Sequence, residues 1–250
     1  MKIAISGKGG CGKSTITVLL SRAFLSMGYE VTIFDTDESN VGLAKMLGFE
    51  GEIRQVMDLY GGKQGFKRVL NEGQEIAPDL SLVTINCNGV KLVRIGKIER
   101  GGEGCACLMG ILAKEVLSKL KLKEREVVLV DTDAGIEHFG RGVDQAVNAV
   151  LFVVDPTYDS VLLAERAYRM ACDLGLAKFM AVLNKVDDET EKLLTERLSK
   201  ANIKVLGRVR YDPDVVRSML IGEPVKASIA MQDVMSIAKA LLEEMSYGAN

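Results

Sequence analysis

The 250-residue chain lacks any run of about 18 apolar residues, the length that a membrane-crossing helix needs. Its first residues, MKIAISGKGG, reach glycine and lysine too soon for a secretory signal. Both absences predict a soluble, cytoplasmic protein. An excess of one charge is missing too: 32 basic and 34 acidic side chains leave a formal charge of -2. Without a basic stretch, neither nucleic acid nor a membrane surface is the expected partner. Histidine is nearly absent, with His138 standing alone. The five cysteines (Cys11, Cys87, Cys105, Cys107 and Cys172) are odd in number and contain no C-x-x-C, which argues against a disulfide framework. No repeat, linker or low-complexity tract divides the chain, so one domain over residues 1–250 is expected.

What the chain does have is alternation. Short apolar runs at Ile3–Ser6, Val31–Asp35, Ser81–Ile85, Val127–Asp131, Val150–Asp155, Phe179–Asn184 and Ile203–Val209 read as strands. Helical patterns separate them at Ser14–Met27, Ile111–Leu120, Ser160–Leu174 and Glu189–Ala201. Strands apolar on both faces belong to a covered parallel sheet, and alternation with helices implies right-handed crossovers. The predicted class is α/β, a doubly wound and mostly parallel sheet flanked by helices. A last amphipathic segment, Met231–Met245, carries an acidic outer face, which suits docking on the core rather than lying on a membrane.

The first strand runs into Gly7-Lys8-Gly9-Gly10-Cys11-Gly12-Lys13-Ser14-Thr15 and then into a helix, the context and spacing of a phosphate-binding P-loop. Glycines let successive backbone N–H groups of residues 9–15 curl around an anion, and the helix N-terminus adds partial positive charge. Lys13 is placed to reach the β- and γ-phosphates of a nucleotide, and the Ser14 hydroxyl to ligate magnesium. Cys11 fills a variable position of the loop. Two acidic clusters close strands, where open α/β sheets bind ligands: Asp35-Thr36-Asp37 and Asp131-Thr132-Asp133-Ala134-Gly135. Asp131 is the candidate for holding magnesium, directly or through water. Farther on, Asn184-Lys185-Val186-Asp187 reads N-K-x-D, in which an aspartate can accept from guanine donors that adenine lacks.

Cys105 and Cys107 lie in the glycine-rich stretch GGEGCACL ahead of a helix. Thiols at i and i+2 of an extended segment face the same side, and a helix N-terminus favours thiolates. Two thiolates make half of a tetrahedral site, which a two-fold dimer would complete around zinc, nickel or an iron–sulfur cluster. Cys87 and Cys172 have no partner by spacing and read as small buried hydrophobes.

The form K-G-G-x-G-K-[ST] at Lys8–Ser14 resembles the deviant Walker A ATPases, which include the nitrogenase iron protein, MinD and ParA-like proteins. The resemblance implies that Lys8 crosses a dimer interface to the partner's phosphates, and that Asp37 is the switch I residue acting on the attacking water. It also implies that the Gly135 N–H senses the γ-phosphate. Relatives place an asparagine at the position of Asn184 for adenine, with a Pro-containing loop against the base, here Tyr211-Asp212-Pro213; ATP and GTP both stay open, with ATP favoured. The segment GGEGCAC, with DTDAGIEHFGRG from Asp131 to Gly142, is similar to the CooC-type accessory ATPases of carbon monoxide dehydrogenase. That resemblance, spanning Met1 to about Pro213, implies an ATP-hydrolysing nickel metallochaperone, a nucleotide-dependent homodimer with metal on Cys105 and Cys107, and a client nickel enzyme. His138 would sense nucleotide, ligate metal or support structure. The alternatives are a MinD- or ParA-like positioning ATPase and a nickel-insertion GTPase. An iron–sulfur electron donor fits poorly, because Asp131–Gly142 contains no cysteine.

Overall fold

The structure, a computed structural model, describes residues 1–98, 107–136, 142–176 and 178–246. Cys105, His138 and the rest of the segments 99–106 and 137–141 lie outside the described residues. In chain order the strands are β1 (Lys2–Gly7), β2 (Glu30–Asp35), β3 (Ile85–Cys87), β4 (Val90–Arg94), β5 (Glu126–Asp131), β6 (Ala149–Val154), β7 (Phe179–Val186) and β8 (Lys204–Arg210). They form one sheet in the order β3-β4-β2-β5-β1-β6-β7-β8, parallel throughout except for the β3–β4 pair. The helices are α1 (Lys13–Ser26), α2 (Leu43–Leu47), α3 (Gly62–Asn71), α4 (Cys107–Lys119), α5 (Tyr158–Asp173), α6 (Asp188–Lys200), α7 (Pro213–Ile221) and α8 (Ile229–Ser246).

Side chains of the central strands alternate across the sheet, as a period of two requires. Ala4, Val128, Val130, Val150 and Phe152 point into one core layer, where Leu112 and Val116 of α4 and Val161 and Ala164 of α5 meet them. Ile3, Ile5, Val127, Leu129, Leu151 and Val153 point into the other, against Leu19 and Phe24 of α1 and Val234, Ile237 and Leu241 of α8. The last segment thus docks on the core, as its pattern predicts. No helix among the described residues is long and apolar enough to cross a membrane.

One strand differs from its sequence reading. Leu80–Leu82 is a 3₁₀ turn, and only Ile85–Cys87 of that region is strand. It pairs antiparallel with β4, which periodicity passed over, through the two-residue turn Asn88-Gly89. Both turn residues have positive φ, 52° and 89°, the geometry that favours Asn-Gly in tight hairpins.

Candidate nucleotide site

The sheet order reverses around β1, which lies between β5 and β6 with its carboxyl end leading into the P-loop. A cavity of about 810 Å³ opens there, lined by Gly9, Gly10, Gly12, Lys13, Ser14, Thr15, Asp37, Asn184 and Lys185. Nine of the residues singled out from sequence are therefore brought to one cavity. α1 begins at Gly12 with no side-chain cap and no acidic residue in its first turn. Its first N–H groups stay available to an anion, and the turn itself carries no carboxylate. Gly12 must be glycine on two counts: its φ is 105°, and a Cβ would fall 2.2 Å from Asn184 Nδ2.

Ser14 Oγ donates to Asp131 Oδ2 at 2.7 Å and accepts from Asn40 Nδ2 at 2.7 Å. Asp131 lies behind Ser14, fully buried, and does not line the cavity. Burial pushes its carboxyl up to about 7; the Ser14 hydroxyl and Lys13 oppose the shift while Asp35 and Asp37 add to it. The register sets that repulsion, because Asp35 of β2 stands beside Asp131 of β5. Asp37 lines the cavity with its Oδ1 engaged by Ser39 N, Ser39 Oγ and Asn40 N at 2.9, 2.7 and 3.1 Å. Asp133 Oδ1 accepts from Glu38 N at 3.2 Å. Gly135 donates its N–H to Gly7 O at 3.0 Å, tying the loop after β5 to the end of β1.

On the opposite wall, β7 bulges between Asn184 and Val186, and Lys185 takes φ 62°. Left-handed backbone at a long-chain residue is uncommon and points to a local task. Here the bulge lets Asn184 Nδ2 donate to Cys11 O and Lys185 Nζ to Gly10 O, both at 2.7 Å. The Asn184 amide oxygen accepts from no described residue, and Asn184 lines the cavity. Asp187 is used differently: its Oδ1 accepts from Thr190 N at 2.9 Å and Thr190 Oγ1 at 2.7 Å, a capping box that starts α6. It does not line the cavity. Cys11 is wholly buried under the loop, and burial raises its thiol to about 11, so it stays a neutral filler.

Pro213 occupies the first turn of α7 and does not line the cavity, whereas its neighbours Tyr211, Asp212 and Val215 do. Asp212 accepts from Asp214 N at 3.0 Å, Ser228 N at 2.9 Å and Ala230 N at 2.9 Å. Although its burial works the other way, these backbone donors hold its carboxyl below the usual range. Lys8 points out of the loop: its amine donates to Thr157 Oγ1 at 2.8 Å and stands 3.6 Å from Asp155 Oδ2. Cys107 is the exposed first residue of α4. Sequence reasoning missed Asn40, Asp155, Thr157, the half-buried Arg94 and the buried Lys97; the shared signal was their position, just past or at the carboxyl ends of strands.

Comparison with known proteins accords with this geometry. The model of the CobQ/CobB/MinD/ParA nucleotide binding domain matches residues 2–225. An uncharacterised ATP-binding protein of Methanocaldococcus jannaschii is 40% identical over 95% of this chain and 99% of its own. The carbon monoxide dehydrogenase accessory protein CooC of Rhodospirillum rubrum is 34% identical over 85% of this chain and 84% of its own. Among solved structures, the septum site-determining protein MinD of Pyrococcus horikoshii, complexed with Mg-ADP, superposes with a TM-score of 0.76 over 98% of this chain and 96% of that one, at 19% identity. With its P-loop, its buried strand-end carboxylates and its mostly parallel sheet, the chain belongs to the CobQ/CobB/MinD/ParA family of nucleotide-binding P-loop ATPases.

Proposed function

We propose that this protein is a magnesium-dependent ATPase, a single cytoplasmic domain that dimerises on binding nucleotide and escorts nickel, its cargo, to an enzyme of the carbon monoxide dehydrogenase kind. The observation that carries the reading is a combination within one chain. Lys8 stands within the P-loop, Cys105 and Cys107 stand one residue apart in the sequence with Cys107 opening α4, and identity to CooC is 34%.

ATP is favoured over GTP because Asp187, which would have to read guanine, is committed to capping α6 outside the cavity. The Asn184 oxygen remains to accept from the amino group of adenine. The donor set also fits magnesium: a hydroxyl and a carboxylate, both hard oxygen ligands, meet at Ser14 and Asp131 beside Lys13. Magnesium bound there would neutralise phosphate charge. Lys13 and the first-turn N–H groups of α1 bind the phosphates, and Asp37 orients the attacking water with its remaining oxygen. Lys8 rests on Asp155 and Thr157 of its own chain through a partly exposed ion pair. Such a pair is worth under about 1 kcal/mol, so exchanging it for a partner's phosphate costs little.

Metal analysis under anaerobic conditions tests the cargo. One nickel or zinc per two chains is expected, bound more weakly as pH falls because four thiols must lose protons. Replacing Cys105 and Cys107 together by alanine should remove the metal and leave ATP binding intact. One metal per chain, or unchanged metal in the double variant, would refute the shared site.

A further inference from the structure

Lys97 follows β4 and does not line the nucleotide cavity, yet its side chain is only 2% exposed. Its amine donates to Asp35 Oδ1 at 2.7 Å and to the main-chain oxygen of Asp37. Taking an ammonium out of water is costly, so such a lysine needs a reason. Neutralising Asp35 is not sufficient reason, because Arg94 Nε already stands 3.2 Å from Asp35 Oδ2. The bond to Asp37 is the one that Arg94 does not duplicate.

That bond belongs to a larger clamp. Ile95 N–H donates to Asp35 O at 3.0 Å and Ile98 N–H to Glu38 O at 3.1 Å, extending the β2–β4 ladder past the ends of both strands. Thr36 N–H donates to Asp131 O at 3.0 Å from the other side. The backbone at Asp37 is therefore held on both flanks, and Lys97 closes the gap between them. With the backbone fixed, three donors from Ser39 and Asn40 converge on Asp37 Oδ1. Oδ2 accepts from no described residue and is left for the cavity that Asp37 lines.

We infer that Lys97 is a positioning residue for nucleotide hydrolysis, acting through the Asp37 carbonyl to hold the Asp37 carboxylate where the attacking water must be oriented. This deepens the ATPase reading and rests on it. Misplacing a catalytic group by about 1 Å can lower a rate roughly 100-fold without touching substrate binding.

The test is steady-state ATP hydrolysis by the full chain in four forms: wild type, Lys97→Met, Asp37→Asn and the double variant. Lys97→Met should lower kcat roughly 10- to 100-fold with KM for ATP within about two-fold. On the Asp37→Asn background the same change should lower kcat by less than about two-fold, since the group it positions is already gone. A merely structural lysine would instead lower kcat by the same factor on both backgrounds, and that result overturns the assignment. So does an unimpaired Lys97→Met beside an impaired Asp37→Asn. A wild type without turnover would overturn the ATPase reading together with this one, whereas an unimpaired Asp37→Asn beside an active wild type would overturn this assignment alone. If Lys97→Met alone folds poorly, Asp35→Asn combined with Lys97→Met removes both charges and should show the same loss of kcat.

Discussion

Asp187→Ala separates two uses of one carboxylate. In the structure its Oδ1 takes the N–H and the hydroxyl of Thr190, while Thr190 Oγ1 accepts the Asp187 N–H at 3.0 Å. Alanine deletes the reciprocal cap and leaves the first-turn N–H groups of α6 to water. Loss of an N-cap costs about 1 kcal/mol, and Asp188, Glu189 and Glu191 remain to oppose the helix dipole. In a chain of this size that corresponds to a melting temperature lower by about 2–4 °C. Calorimetric titration at fixed magnesium should then give ATP and GTP affinities equal to those of the wild type, with ATP preferred in both. If Asp187 read guanine, GTP affinity alone would collapse and ATP affinity would hold. Selective loss of GTP binding, or a variant as stable as the wild type, would refute the assignment of this aspartate to the helix.

Lys13→Ala should abolish ATP binding in the same titration, because it removes the cation in the floor of the cavity. Lys8→Ala should bind ATP but fail to dimerise on it, as sedimentation with and without nucleotide would report. Nucleotide-driven dimers of that variant would refute the crossing role. A pH series tests Asp131: its carboxyl titrates near 7 when folded against an ordinary 3.8, so only the native state keeps that proton between those values. Its stabilising effect is whole below about pH 4 and is lost as pH rises through about 7, a difference on the order of 4 kcal/mol in the metal-free protein. Asp131→Asn should accordingly melt above the wild type at pH 8 and draw level near pH 4. A pH-independent gap would count against a buried, protonated Asp131.

The sheet and the P-loop were legible because their signals are local. A parallel strand is apolar on both faces, and the glycine spacing of residues 7–14 admits few other structures. The β3–β4 hairpin was missed because β3 is three residues long, too short to show a period, although its Asn88-Gly89 turn was plain in the sequence. Asn184 and Lys185 do line the cavity, but the fate of Asp187 was not legible, since helix capping and guanine recognition ask for the same residue. Lys97 escaped notice for a different reason. Its partners Asp35 and Asp37 lie some sixty residues away, joined to it by sheet register rather than by spacing.

Asp212 caps more than one structure. It closes the first turn of α7 through Asp214 N and takes the N–H groups of Ser228 and Ala230, where α8 begins. α8 in turn buries Val234, Ile237 and Leu241 in the same core layer as Leu19 and Phe24 of α1, the helix that issues from the P-loop. One carboxylate and one apolar layer thus join the nucleotide site to α8, and occupancy of that site is expected to stabilise α8 by linkage. Ligand binding should slow amide exchange along α8, a helix that lines the cavity only with Ala230 in its first turn.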